Sequence, residues 1–66
     1  MLAVQTPVRL LPLKEVINRV SYSRASIYAM TKEGRFPRPV KLGPNRVGWV
    51  ESAVAAWINA KINEAA

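Results

Sequence analysis

The sequence predicts a mainly helical fold with one small β-hairpin, and three observations indicate it. Apolar side chains recur at intervals of three and four residues in three segments of the 66-residue chain, which is the spacing of amphipathic helices. The first two of these segments are separated by only a few residues. Two strand-like segments then flank the turn Gly43-Pro44-Asn45-Arg46. This order of elements predicts a winged helix-turn-helix over residues 10–62.

The first helix is predicted at about residues 12–20. Pro12 is tolerated in a first helical turn because its missing N–H has no intrahelical partner there. Residues 1–9 contain Pro7 and show no periodicity, so we predict a flexible lead-in. The apolar stripe of the helix consists of Leu13, Val16, Ile17 and Val20.

The second helix is predicted at about residues 24–33, after a turn made by Val20-Ser21-Tyr22. Ser23 is a suitable N-cap, and Gly34 is a suitable glycine just beyond the C-terminal end. When Ile27, Met30 and Thr31 face the core at helical spacing, another set of side chains must face outward. That outward set is Ala25, Ala29 and Lys32.

The second half of the chain predicts a wing and a third helix. Two prolines in residues 35–39 favour an extended strut, and the wing follows at about residues 40–50, anchored by Trp49 or Val50. The third helix is predicted at about residues 52–62, capped by Ser52, with residues 63–66 as a short tail. Its apolar stripe is Val54, Trp57, Ile58 and Ile62, and we assign Phe36, Trp49 and Trp57 to the core rather than to base stacking.

Charge is unevenly distributed along the chain. The formal net charge is +6, from ten Lys and Arg against four Glu. Nine of the ten cations fall between Arg9 and Arg46, where two Glu oppose them, so this stretch carries a net charge of +7. A concentrated basic excess indicates a polyanionic partner, with nucleic acid ahead of an anionic membrane.

The composition excludes most catalytic chemistry. The chain has no Cys and no His, so thiolate or imidazole metal sites and the commonest general base are absent. The four Glu are dispersed, and the three glycines stand singly rather than in a phosphate-binding loop. We therefore expect no enzymatic activity, no cofactor, no metal and no small-molecule ligand. The sequence shows no membrane span or signal peptide, which predicts a cytoplasmic protein of the bacterial nucleoid.

The chain contains the motifs Leu13-Lys14-Glu15-Val16, Ser23-Arg24-Ala25-Ser26-Ile27-Tyr28, Lys32-Glu33-Gly34-Arg35-Phe36-Pro37, Pro39-Val40-Lys41-Leu42-Gly43, Gly48-Trp49-Val50-Glu51-Ser52-Ala53-Val54 and Trp57-Ile58. Together they resemble the AlpA family of phage-type regulators over about residues 10–60. The outline is also similar to phage excisionases and, more distantly, to the DNA-binding head of MerR-type proteins. The resemblance implies a regulator carried by a prophage, satellite or integrative element, acting at a promoter such as that of an integrase, or a recombination directionality factor.

The chain departs from the expected pattern in two respects. Ala25 and Ala29 stand on the outer face of the second helix, where polar side chains would read bases. Ala55 stands where an acid would complete a capping box with Ser52. The first departure concerns base specificity, and the second only a helix end.

The second helix supplies the first set of candidate DNA contacts. Arg24 lies in the first turn, where a helix in the major groove makes base contacts, and its guanidinium suits guanine O6 and N7. Tyr28 can place its hydroxyl on a phosphate, and Lys32 is expected to contact phosphate without reading sequence. The candidates on this helix are Ser23, Arg24, Ala25, Ser26, Tyr28, Ala29 and Lys32.

The strut and wing supply the second set. An arginine at a wing tip suits a narrow, electronegative A·T-rich minor groove, and Gly43 allows close approach of the backbone. Arg35 and Arg38 flank the strut and are expected to hold the DNA backbone. The candidates here are Arg35, Arg38, Lys41, Gly43, Asn45 and Arg46.

Three functions remain open at this point. The chain is a sequence-specific promoter regulator, an excision factor that bends DNA by cooperative binding, or a protein-interaction module that inhibits an integrase or polymerase through the third helix. The expected partners are double-stranded DNA, further copies of the chain on adjacent sites, and an integrase. RNA binding lacks an aromatic stacking platform, and membrane attachment lacks a helix with both a basic face and a broad apolar face.

Overall fold

The molecule is described by a computed structural model that covers residues 9–65. It is a mainly helical fold with a small antiparallel sheet, which confirms the predicted fold class. The elements in chain order are β1 Leu10–Leu11, α1 Leu13–Val20, α2 Arg24–Lys32, β2 Val40–Gly43, β3 Arg46–Val50 and α3 Glu51–Ala65.

Backbone hydrogen bonds, rather than capping side chains, mark both ends of helix α1. Pro12 is the N-cap, one position before the helix, and its carbonyl accepts from the N–H groups of Glu15 and Val16 at 3.0 and 3.1 Å. Ser21 has a left-handed φ of 62° and donates its N–H to the Ile17 carbonyl at 2.9 Å. Because the left-handed residue ends the helix, the turn consists of residues 21–23, and Val20 is still helical.

Helix α2 has both predicted caps. The Ser23 side chain accepts from the Ser26 N–H at 3.2 Å. Gly34, at φ 78°, lies just beyond the C-cap Glu33. The N–H groups of Gly34 and Arg35 donate to the carbonyls of Thr31 and Met30 at 3.1 and 2.8 Å. This is the Schellman arrangement, and it ends the helix within a residue of the prediction.

The sheet has three strands in the order β1-β3-β2, all antiparallel. The wing hairpin is present as predicted, with Val40 opposite Gly48 and an irregularity between Lys41 and Gly43. Strand β1 was not predicted, since residues 10–11 are too few to show a period. It pairs Leu10 with Val50 and so makes β3 the central strand. A third strand matters because a lone hairpin is marginally stable.

Trp49 lies in the middle of the core. Its side chain is completely buried, and its indole N–H donates to the Pro37 carbonyl at 3.0 Å. Trp57 is only half-buried, donates to the Arg35 carbonyl at 2.8 Å and meets Phe36 edge-on. The strut is thereby held against both β3 and α3. The buried hydrophobic residues are Leu11, Val16, Ile27, Met30, Phe36, Trp49 and Val54.

Helix α3 differs from the prediction at both ends. It begins at Glu51, so Ser52 lies inside the helix and does not cap it. Without a cap at Ser52 there is no capping box, and the lack of an acid at Ala55 does not weaken the start of the helix. The helix begins early because the Glu51 N–H donates to the Arg9 carbonyl at 2.8 Å, a partner distant in sequence. A carboxylate in the first turn also favours the helix dipole.

The C-terminal part of the third helix was also predicted too short. Residues 63–65, expected as a tail, are helical, because alanine and the neighbouring polar residues sustain the helix without packing. Ile62 was predicted to belong to the core stripe, yet it is 60% exposed. The predicted flexible lead-in lies outside the described residues, apart from Arg9.

Replacing a core residue and an exposed residue of similar size tests this packing. Leu11→Ala should lower the free energy of unfolding by about 2–5 kcal/mol, because it leaves a cavity behind Trp49. Ile62→Ala should change it by less than about 0.5 kcal/mol, because the side chain is already solvated. Urea unfolding followed by tryptophan fluorescence measures both. Similar losses in the two variants would contradict this description of the core.

Candidate nucleic-acid interface

The outward face of α2 is formed by small and cationic side chains. Ile27 and Met30 are buried and Thr31 is half-buried, as the helical spacing predicted. The remaining candidates on this helix are all exposed. They are Ser23, Arg24, Ala25, Ser26, Tyr28, Ala29 and Lys32.

The first turn of α2 has an ordered polar network. Ser23 Oγ donates to Ser26 Oγ at 3.1 Å and accepts from the Ser26 N–H. Both hydroxyls therefore take part in the cap, and the Ser26 oxygen keeps a free lone pair toward solvent.

Tyr28 connects the core to this exposed face. Its ring packs edge-on against buried Trp49, with 6.0 Å between the ring centroids. The Arg24 guanidinium carbon lies 5.9 Å from the Tyr28 ring centroid, within reach of a cation–π interaction. Tyr28 is 39% exposed, so one side of its ring packs in the molecule while the other supports Arg24.

The wing tip is a tight turn whose residues suit its geometry. Asn45 has φ 61°, and asparagine is one of the few side chains that tolerates this left-handed region. Pro44 precedes it, as is common in turns that need a positive φ at their third residue. Gly43 has no positive φ, and a side chain there would meet nothing within 4 Å. Lys41 and Arg46 are exposed on either side of this turn.

A cleft of about 490 Å³ separates the first turn of α2 from the wing. Arg24 and Tyr28 line one side of it, and Asn45 and Arg46 line the other. The sequence identified these four residues separately, and the fold brings them to one place. We refer to this feature as the helix–wing cleft.

The apolar part of the helix–wing cleft was not predicted from the sequence, and it includes Leu10, Leu11, Leu13 and Leu42. Leu10 and Leu42 contribute to its lining, and they approach each other over Gly48. A Cβ at Gly48 would lie 3.1 Å from Leu10 Cβ and 3.2 Å from Leu42 Cδ1. The only signal in the sequence was a glycine inside a strand, which marks a close approach of neighbouring groups.

The other basic candidates lie outside the helix–wing cleft. Lys32, Arg38 and Lys41 are exposed and do not line it. Arg35 is also exposed, and its guanidinium donates to Glu33 Oε1 at 2.9 Å. They extend the basic surface without sharing the cleft.

The cations of the molecule fall into paired and unpaired groups. Arg19 donates to Glu15 at 3.2 Å and contacts Glu51 at 3.0 Å. Its hydrogen bond to Glu15 and its pairing with Glu51 raise the pKa of Arg19 above its ordinary value. Arg9 lies 3.8 Å from Glu51, and Lys61 lies 3.5 Å from Glu64.

Within residues 9–65, six cations have no acidic side chain within 4 Å. One is on α1, and the other five are on α2, the strut and the wing. They are Lys14, Arg24, Lys32, Arg38, Lys41 and Arg46. Unpaired positive charge is therefore concentrated on α2, the strut and the wing, and two of these cations, Arg24 and Arg46, line the helix–wing cleft.

Two kinds of feature are absent from residues 9–65. No group of three or more His, Cys, Asp and Glu side chains in this part of the chain is placed to hold a metal ion. None of the helices described is long and apolar enough to cross a membrane.

Comparison with known proteins gives one family and one relative. The sequence profile of the family described as Prophage CP4-57 regulatory protein (AlpA) matches residues 9–62. A protein of Enterobacteria phage P4, named Uncharacterized protein ORF88, is 39% identical over 57 residues. The match covers 86% of this chain and 65% of the phage protein, so the chain spans slightly less than two thirds of that relative. No solved structure gives a significant match.

The left-handed residue at the wing tip provides a stability test. Asn45→Ala should lower the free energy of unfolding by about 1 kcal/mol, because alanine lacks the side-chain amide whose local hydrogen bonds help asparagine to tolerate a left-handed backbone. Asn45→Gly should leave it nearly unchanged, since glycine adopts positive φ freely. Thermal unfolding of both variants measures the difference. An alanine variant as stable as the glycine variant would contradict the turn geometry.

Proposed function

This chain belongs to the AlpA family of prophage regulatory proteins, and on that premise we propose that it is a sequence-specific, double-stranded DNA-binding transcriptional regulator of a prophage or integrative element. The observation that supports this most is the concentration of unpaired cations on α2, the strut and the wing. Such a surface suits a duplex, whose affinity for proteins depends largely on phosphate contacts.

In this proposal α2 enters the major groove. The groove is about 12 Å wide and admits one helix. Ala25 and Ala29 let the helix backbone approach closely, and their methyl groups can contact a thymine methyl. Ser26 offers a hydroxyl to a base edge, and Lys32 contacts phosphate. Because these side chains are short, they can recognise bases only if the helix backbone lies close to the floor of the groove.

The wing lies over the adjacent minor groove in the same proposal. Arg46 and Lys41 are exposed around its turn, and a narrow minor groove attracts cations. Arg35 and Arg38 lie on the strut that joins α2 to the wing, where they suit the intervening DNA backbone. The exposed residues of α2 then contact the major groove, and the exposed residues of the wing contact the neighbouring minor groove.

The proposed target is DNA of the element itself. The family description is that of a prophage regulatory protein, so we propose a promoter such as that of an integrase, in the cytoplasm and on the bacterial nucleoid. The excision role belongs to the same proposal, since an excision factor would use the same two elements on DNA near an attachment site. Further copies on adjacent sites and an integrase are the proposed protein partners.

Binding to duplexes tiled across the gene neighbourhood tests the function. Fluorescence anisotropy should find one tile bound tightly, with affinity falling about 10²- to 10³-fold between 50 and 200 mM salt. A tile of the same composition in scrambled order is the control. Weak binding of equal strength to every tile would overturn the proposal of a sequence-specific regulator.

The salt dependence identifies which cations meet phosphate. Arg46→Gln should reduce the slope of log affinity against log salt by about one, since one phosphate contact is lost. Lys61→Gln removes the same charge from α3, where Lys61 pairs with Glu64, and should leave the slope unchanged. Equal slopes for the two variants would show that Arg46 makes no phosphate contact.

A further inference from the structure

We propose that the helix–wing cleft binds one sugar–phosphate unit of the DNA backbone. In this assignment Arg24 and Arg46 hold the phosphate from opposite sides, and Leu10 and Leu42 contact the carbons of the deoxyribose. The inference rests on the proposed function and specifies how one part of the duplex is bound.

Aromatic packing supports the α2 side of the cleft. Arg24 stands against the ring of Tyr28 at 5.9 Å, and Tyr28 is braced by buried Trp49. A guanidinium restrained in this way loses less conformational entropy when it binds an anion. The Tyr28 ring therefore positions the cation at the cleft, and its hydroxyl adds a donor beside it.

The wing side supplies a second cation and a polar group. Arg46 directly follows the left-handed Asn45, so the tight turn presents both residues to the cleft. Neither Arg24 nor Arg46 has an acidic side chain within 4 Å among residues 9–65. Two unpaired guanidiniums thus line one cleft, and arginine forms strong paired hydrogen bonds with phosphate oxygens.

The apolar lining gives the ligand its second chemical feature. Leu42 is 51% exposed and Leu10 is 36% exposed, so both offer apolar surface to a ligand beside the two arginines. Gly48 is buried beneath them, and any side chain there would press against both. A surface with an apolar patch and two cations fits a ligand that carries a phosphate on a hydrocarbon-rich ring. The volume of about 490 Å³ lies in the range of sites for small organic groups.

This assignment changes the expected roles of both arginines. Arg46 contacts the backbone at the edge of the minor groove rather than the groove itself, and Arg24 contacts the backbone rather than a base. The sequence predicted a contact from Arg24 to guanine, which would affect discrimination between bases. A phosphate contact instead affects affinity on every sequence, because phosphate contacts position the protein and base contacts specify the site. Arg24 and Arg46 should then act on the same nucleotide, although 22 residues separate them in the chain.

A free nucleotide presents the same chemistry as a backbone unit, so the experiment includes both sources. One arm uses the bound tile with single methylphosphonate substitutions, each of which neutralises one backbone phosphate. The other arm titrates thymidine monophosphate. The wild-type affinity for the unmodified tile is measured first and tests the proposed function independently.

If the cleft binds the DNA backbone, Arg24 and Arg46 should contact the same phosphate. Neutralising one phosphate, or two adjacent ones, should weaken the wild type about 10- to 100-fold, as expected for a lost charge-assisted contact. Arg24→Ala and Arg46→Ala should both become insensitive to that same position. If the two variants became insensitive to methylphosphonates at positions several nucleotides apart, the assignment would be overturned. A change of base preference in Arg24→Ala would also overturn it. Nucleotide binding tighter than duplex binding and dependent on both arginines would assign the cleft to a free nucleotide instead.

Two exposed residues of β2 test the sugar contact. Leu42→Ala should lower duplex affinity about five- to tenfold through lost apolar contact. Val40→Ala is the matched control, since Val40 is 42% exposed on the same strand but does not line the cleft, and its affinity should change less than about twofold. Equal affinities of the two variants would overturn the sugar contact. Unfolding midpoints of both variants establish that each is folded.

Discussion

The burial of Trp49 in the central strand holds the wing in place relative to α2. Its indole N–H donates to the Pro37 carbonyl of the strut, and its ring packs against Tyr28 of α2. The same residue pairs with Leu11 across the sheet. One buried side chain therefore joins the sheet, the strut and the helix, and the width of the helix–wing cleft depends on it. Because the core has few buried residues, the close packing around Trp49 leaves the wing little freedom to move relative to α2.

The charge distribution follows from a second constraint. None of the charged side chains in residues 9–65 is buried. Like charges on one surface destabilise the folded state. The cations at Arg9 and Arg19, beside α1 and α3, are neutralised by Glu15 and Glu51. On α2, the strut and the wing most cations are left unpaired. The repulsion that remains there is relieved when a polyanion binds, so binding free energy and stability are linked through the same side chains.

Local signals made most of the fold predictable, and contacts distant in sequence explain what was missed. Ser23 and Gly34 mark the ends of α2 because their caps use backbone groups within a few residues. The start of α3 depends instead on the Arg9 carbonyl, about forty residues earlier, which no local pattern reveals. The candidate residues of the helix–wing cleft were recognisable from charge and turn chemistry. Their convergence required the sheet, since Arg24 and Arg46 belong to different elements.

The short segment at residues 10–12 shows why the fold and the cleft cannot vary independently. Leu11 is fully buried in the core and Leu10 is exposed, as alternation along a strand requires, and both leucines border the cleft. Pro12 then receives the first hydrogen bonds of α1. A shift of this strand by one residue would exchange the two leucines, exposing one and burying the other. The pairing that stabilises the hairpin thus also sets the lining of the cleft, and a substitution that loosens it must affect stability and binding together.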